Sequence, residues 1–266
     1  MRLYCTNRPK CLLFAKNELM KFWLIAFGIF ISVAAQAQFG FYAEGGGNYT
    51  DLNVTRNPGG VVKGKADYGW QVAVGTEYHA QFGYFLYVNV GVSKQSFGKD
   101  SSGTNEVISV ASDYMYHPLF LNFPFGIGYQ FDLPKQLAFR VYGGITAQTG
   151  IGGKLKRQAS YYAVDTVTGE QTEILSVDEE RKIHFGRSIQ VQNEFRSDLA
   201  NAIWGFNVGV GLNFSKSFEI TAFYQGVFTN ILPGGDGVPE INKLNSVSLN
   251  AKYYFTRSYY KHKPKY

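Results

Sequence analysis

The amino-acid sequence predicts an all-β chain that closes into a transmembrane antiparallel β-barrel of eight strands in up-and-down order, with ten as the alternative count. Three observations predict it. Apolar residues alternate with polar ones at a period of two in run after run. The links between runs alternate short and long along the chain. Finally, the apolar phase of the runs carries no charged residue.

Taken in order, residues 1–19 read as an over-extended start or an extension of the charged leader, and 20–37 as a cleaved signal peptide. Lys21, an apolar run over 22–35 and the small-x-small site Ala35-Gln36-Ala37 are its three parts, with cleavage expected before Gln38. Cys5 and Cys11 both fall in this segment, so the mature chain is expected to hold no thiol or disulfide. The barrel is expected over 38–256. Its first strand is 39–50. Tyr68, Trp70, Val72, Val74, Thr76 and Tyr78 form the outer stripe of the second, and Phe82, Tyr84, Leu86, Val88, Val90 and Val92 that of the third, with only Ala80-Gln81 between them as a tight turn. Further strands are expected at 119–129, 137–147, 204–214, 218–228 and 247–255. Each approaches the ~9–11 residues that a tilted strand needs to cross a bilayer, and the count is even.

Short links fall at 80–81, 132–136 and 215–217, and long ones at 51–67, 98–114, 152–202 and 231–245. Outer-membrane barrels keep short turns in the periplasm and long loops outside, which places both mature termini in the periplasm. The 152–202 segment is rich in charge and contains Thr168-Gly169, so a hairpin standing above the membrane is expected. Its insertion into the wall would make ten strands. Residues 257–266 form a basic periplasmic tail.

Composition narrows the classes. Of 266 residues, 45% are apolar and 17% charged, too apolar for a disordered chain. Glycine, at 30 residues, exceeds the usual ~7%, and nearly all aromatics are Tyr or Phe, a strand-and-turn mixture. No stretch after residue 40 has the ~18 consecutive apolar residues of a spanning helix. The net charge of +6 invites a nucleic-acid reading, but residues 1–37 hold five basic side chains against Glu18 alone, and the remainder is close to neutral. Nucleic acid is therefore not an expected partner. A soluble sandwich or lipocalin-like barrel would turn its polar phase to water and charge it heavily. Within the eight runs that phase holds only Glu44, Glu77, Arg140, Glu219 and Lys252 as acids or bases. The bilayer reading fits better, because every backbone group must pair inside a closed sheet there.

The stretches PLFLNFPFGIGYQF and LAFRVYGGITAQTG, followed by WGFNVGVGLNFSKSFEITAFYQGVFTNI with Gly209, Gly211, Gly226 and Asn230, resemble the PorT-like outer-membrane β-barrel proteins over roughly residues 38–255. The resemblance implies an OmpA-like eight-stranded barrel in a Gram-negative outer membrane and a secretion-associated role. It also implies that Tyr253 and Phe255, in the terminal strand, serve as the signal read by the barrel-assembly machinery.

An eight-stranded barrel is just wide enough for its own side chains. Inner-phase glycines, among them Gly75, Gly91, Gly126, Gly128, Gly209 and Gly211, are expected to make room for Tyr87, Tyr142 and Phe120. Buried charges persist when paired and hydrogen-bonded, so Glu44, Glu77, Arg140, Glu219 and Lys252 are expected to form an internal ion-pair plug, the alternative being a gate or proton-linked site. The four histidines show no metal-ligand spacing, and neither a cofactor motif nor a Gly-x-Ser-x-Gly elbow is present. No enzyme activity, cofactor or metal is expected. His117 with Ser109 or Ser112 is the one pairing that would suit a rim-located lipid-modifying enzyme. The expected function is a structural, surface-binding or secretion-associated role carried by the outer loops. Outer-membrane lipid is expected to surround the wall, and a secretion or surface partner is expected at the 152–202 loop. A narrow conduit for small or apolar molecules is the second expectation.

Overall fold

The computed structural model describes residues 38–56, 62–104, 108–134, 137–165, 167–186, 189–191, 194–196, 198–215, 217–232 and 240–256. The signal-peptide reading and the basic tail lie outside them. Twelve strands follow in chain order: β1 (Gln38–Arg56), β2 (Val62–His79), β3 (Tyr84–Lys94), β4 (Phe97–Thr104), β5 (Ile108–Asp132), β6 (Ala138–Val164), β7 (Gln171–Lys182), β8 (Ile189–Val191), β9 (Glu194–Arg196), β10 (Ala202–Asn213), β11 (Phe218–Val227) and β12 (Glu240–Thr256).

Every pairing between neighbouring wall strands is antiparallel. Strand β1 pairs with β2, β2 with β3 and β4, both of these with β5, and β5 with β6. The wall continues through β10, β11 and β12, which returns to β1 from Phe41↔Thr256 to Arg56↔Glu240. Strands β3 and β4 are one wall strand interrupted at Gln95-Ser96, so the closed wall has eight strand positions among the described residues. Strand β7 pairs with the far half of β6, Lys154↔Lys182 to Val164↔Gln171, whereas β10 pairs with the near half, 138–149. The β6–β7 hairpin therefore rises beyond the wall rather than widening it to ten.

The long links are shorter than the sequence expects. Most of 51–67 and 98–114, residues 240–245 of the 231–245 link and a good part of 152–202 are strand. The apolar stripe marks only the stretch that faces lipid. Backbone pairing continues past it into water, where the outward residues become charged. The Ala80-Gln81 turn is longer than expected. It takes in a 3-10 turn, Gln81–Gly83, with Phe82 at φ 66° and Gly83 at φ 87°. Ala80 N–H donates to the Tyr84 carbonyl at 2.8 Å and closes it. A left-handed phenylalanine costs about 1 kcal/mol, and the exposed ring lies among the aromatics of that end.

Outward residues are apolar and inward ones largely polar, the reverse of a water-soluble protein. Val72, Val74, Leu86, Val88, Ile127 and Leu249 are exposed, while Asn89, Asn207, Thr221 and Asn250 are buried. Phe41, Tyr78, Tyr84, Phe131, Tyr253 and Phe255 ring the short-turn end, and Tyr49, Tyr68, Trp70, Trp204 and Phe228 the other. From Tyr78 to Tyr68 is ten residues, about 26 Å of height in a strand tilted ~40°. That is the thickness of the apolar band of an outer-membrane barrel.

Candidate functional site

Because strand side chains alternate, every second residue of the wall points into the lumen. Glu44 on β1, Glu77 on β2, Arg140 on β6, Glu219 on β11 and Lys252 on β12 all have this phase, and the structure brings them together. Arg140 is fully buried and forks between two carboxylates, with Nη2 2.6 Å from Glu77 Oε2 and Nη1 2.7 Å from Glu219 Oε2. Lys252 Nζ lies 3.2 Å from Glu77 Oε1 and 3.9 Å from Glu44 Oε2. Glu44 accepts a hydrogen bond from Asn89 Nδ2 at 3.1 Å.

Aromatic rings complete the cluster. The Arg140 guanidinium lies 3.8 Å from the centre of the Phe85 ring, and Lys252 Nζ 4.3 Å from that of Tyr42. Tyr142 donates to Glu219, and Tyr254 Oη accepts from Arg140 Nη1 at 2.5 Å. Tyr254 Oη also lies 2.9 Å from Glu77 Oε1 and 2.8 Å from Glu219 Oε2, its single proton serving one at a time. His79 Nε2 is 3.2 Å from Glu77 Oε2. Sequence reasoning missed Tyr42, Phe85, Tyr254 and His79 here, yet a signal existed. Four of the five charges have an aromatic or imidazole ring two residues away on the same face: Tyr42 with Glu44, His79 with Glu77, Tyr142 with Arg140 and Tyr254 with Lys252.

Glycine makes the room. A Cβ on Gly128 would lie 2.0 Å from Phe85 Cζ and 2.6 Å from the Val141 carbonyl oxygen. One on Gly126 would lie 2.8 Å from the Tyr87 hydroxyl and 2.2 Å from the Gly143 oxygen. The rings that fill the lumen thus occupy the space that side chains at these positions would take.

Farther from the short turns the lumen becomes an amide and hydroxyl layer. Tyr87 donates to Asn207, Asn207 Nδ2 to Thr146 Oγ1 at 2.7 Å, and Gln148 Nε2 to Asn122 Oδ1 at 2.9 Å. A cavity of about 60 Å³ lies in this layer, lined in part by Glu44, Asn89, Asn207, Ser246 and Ser248. It has room for a few water molecules.

Beyond it the lumen is closed by an apolar layer, in which Leu52, Phe97, Phe120, Leu155 and Leu244 from the wall meet Leu199, Ile231 and Leu232 from the connections. Arg181 holds the inward segment with a two-pronged bond to Asp198, 2.6 and 2.7 Å, and Asp198 also accepts from the His184 N–H at 2.9 Å. The bond to Asp198 raises the Arg181 guanidinium above its ordinary value. The sequence reads 152–202 as an outer loop, and part of that segment turns inward. Its Ile183 and Leu199 fold back into the mouth and join Ile203 of β10 in this layer, where their apolar surface leaves water.

His117 does not meet Ser109 or Ser112. All three lie on the continuous strand β5, which puts His117 about 26 and 17 Å from them. Its Nδ1 pairs instead with Ser96 Oγ at 2.9 Å. Tyr253 and Phe255 point outward at the short-turn end, their ring centres 5.5 Å apart. Among the described residues no group of three or more His, Cys, Asp or Glu side chains is arranged to hold a metal ion.

The outer membrane protein beta-barrel domain model matches residues 23–255, nearly the whole chain. The chain belongs to that family. An outer-membrane β-barrel domain accounts for the inverted polarity, the two aromatic rings and the closed wall together. Among solved structures, it is similar to Ail, the attachment invasion locus protein of Yersinia pestis, in complex with the heparin analogue sucrose octasulfate. The identity is 14%, over 81% of this chain and 99% of that one, at a TM-score of 0.35. The outer membrane protein OprG from Pseudomonas aeruginosa is 11% identical over 82% of this chain and 97% of that one, at a TM-score of 0.41. No curated protein matches the chain.

Proposed function

We propose that this outer-membrane barrel is a closed, non-enzymatic scaffold that works through its projecting β6–β7 hairpin and the surface around it, with both mature termini in the periplasm. One observation carries the reading. The lumen is filled in three successive layers, ionic, amide and apolar, around a cavity of only about 60 Å³. The ion cluster is the periplasmic plug of this scaffold. The resemblance to PorT-like barrels supports a secretion-associated form of the same role, with an exported protein as partner, and the terminal-strand pair Tyr253 and Phe255 as the assembly signal.

Purified protein in a planar bilayer is expected to give no conductance steps above baseline. Repeated, uniform steps would overturn the closed scaffold and favour the narrow conduit. Orientation has its own test. With Cys5 and Cys11 replaced by serine, Thr168→Cys at the hairpin tip is expected to react with a membrane-impermeant maleimide on intact cells. Reaction only after the outer membrane is permeabilised would reverse the orientation.

A further inference from the structure

Just past the apolar band, on the side of the wall made by β3, β5 and β6, the outward face becomes cationic. Along β3, Val92 is followed in phase by Lys94, and on β6, Lys154 comes after the exposed Ile151; between them, Leu119 on β5 is followed by the polar His117, which burial keeps below the ordinary histidine value. His117 is directly opposite Lys154 in the β5–β6 register, and Lys94 is opposite both Trp70 and Leu119. Strand β7 adds Lys182 opposite Lys154, and Glu180 opposite Lys156. Paired residues share a face of the sheet, so Lys154, Lys156, Lys182 and Glu180 project together.

The charges on this face are unbalanced. Glu180 is shared between Lys154 at 2.6 Å and Lys156 at 3.4 Å, and the hydrogen bond from Lys154 holds its carboxyl below the ordinary range. Lys94 and Lys182 have no ion pair among the described residues. The other nearby acids do not make up the difference. Asp67 accepts from the Tyr68 N–H at 2.7 Å, Asp113 is held by Lys65 at 2.8 Å, and Asp178 lies a further step up the hairpin. Lys154 and Lys182 are directly opposed like charges, a destabilising arrangement that an anion bound from outside the chain would relieve.

We infer that Lys94, Lys154, Lys156 and Lys182 form a seat for the phosphate groups of anionic outer-leaflet lipid, with Trp70 beside it at the level of the head groups. The inference rests on the proposed orientation of the hairpin. The height decides the ligand. A cationic cluster that begins in the first row beyond a lipid-facing stripe meets head-group phosphates before it meets anything dissolved in the medium, and amphipathic Trp is enriched at that interface.

The test uses the purified full barrel in neutral detergent micelles, with diphosphorylated lipid A as probe. Saturating lipid A is expected to raise the unfolding midpoint by about 6 °C, the scale of a ligand well above its Kd acting on a chain of this size. Dephosphorylated lipid A and inorganic phosphate at the same concentration are expected to leave it in place, and a K94Q/K154Q/K156Q/K182Q variant to lose the shift. These lysines are outside the core, so that variant is expected to fold. An equal shift with dephosphorylated lipid A, or a shift kept by the variant, overturns the seat. An equal shift with inorganic phosphate makes it a free-anion site and overturns the lipid assignment. A hairpin tip found on the periplasmic side overturns the outer leaflet while leaving the in vitro shift intact, so the two failures are distinguishable.

Discussion

Replacing Arg140 by methionine is expected to destabilise the folded barrel by about 3–5 kcal/mol, the usual consequence of removing one partner from a buried charge pair. The wall and the stacking on Phe85 leave methionine enough room, so the loss is electrostatic. Without the guanidinium, Glu77 and Glu219 keep Lys252 as their one buried cation, and Lys252 is shared with Glu44. Urea unfolding in lipid vesicles, followed by the change in gel migration between folded and unfolded barrel, measures the effect. The triple variant Glu77→Gln, Arg140→Met, Glu219→Gln is expected to recover most of the loss, because it removes the stranded charges together with their partner. A single variant within about 1 kcal/mol of the parent would mean that the cluster is solvated and contributes little as a plug.

Placing arginine at Val74 tests the opposite face. Val74 is 62% exposed and lies about midway between the two aromatic rings, so its side chain meets the centre of the bilayer. A cation there costs ~2–4 kcal/mol. Val167 is 89% exposed but sits at the tip of the projecting hairpin, and Val167→Arg is expected to change stability by less than about 0.5 kcal/mol. The contrast between two exposed valines is the measurement, made by the same unfolding in vesicles. Equal, small effects would return the outward face to water.

The membrane-facing half of the fold is legible in the chain because the bilayer imposes a simple code. Val72, Val74, Val88, Val90 and Leu249 are apolar where lipid lies, and the phase shows it without any knowledge of pairing. The five luminal charges are legible for the same reason, since a charge in the inner phase stands out among Gly, Asn and Ser. The code lapses beyond the aromatic ring. The outward faces of β4 and the far half of β6 are wet, and their extent is set by hydrogen bonding between distant strands, which leaves no local pattern. The apolar cap was missed for a related reason. Leu199, Ile231 and Leu232 are separate apolar residues in polar segments, and only the closed wall reveals a mouth for them to fill. His117 acquires Ser96 as its neighbour through the break at Gln95-Ser96, a local irregularity that spacing along β5 does not register.

The seam between β1 and β12 has a kinetic consequence. Phe41 is paired with Thr256 and Arg56 with Glu240, so the first strand to leave the ribosome waits for the last. Joining ends nearly 200 residues apart costs about 5 kcal/mol of chain entropy for a flexible loop. Until that contact forms, the growing sheet has two raw edges, each a row of amides that hydrocarbon cannot solvate. The barrel therefore has no stable half. Insertion is a single commitment made by a complete chain, and hydrogen bonds alone turn a linear polymer into a ring.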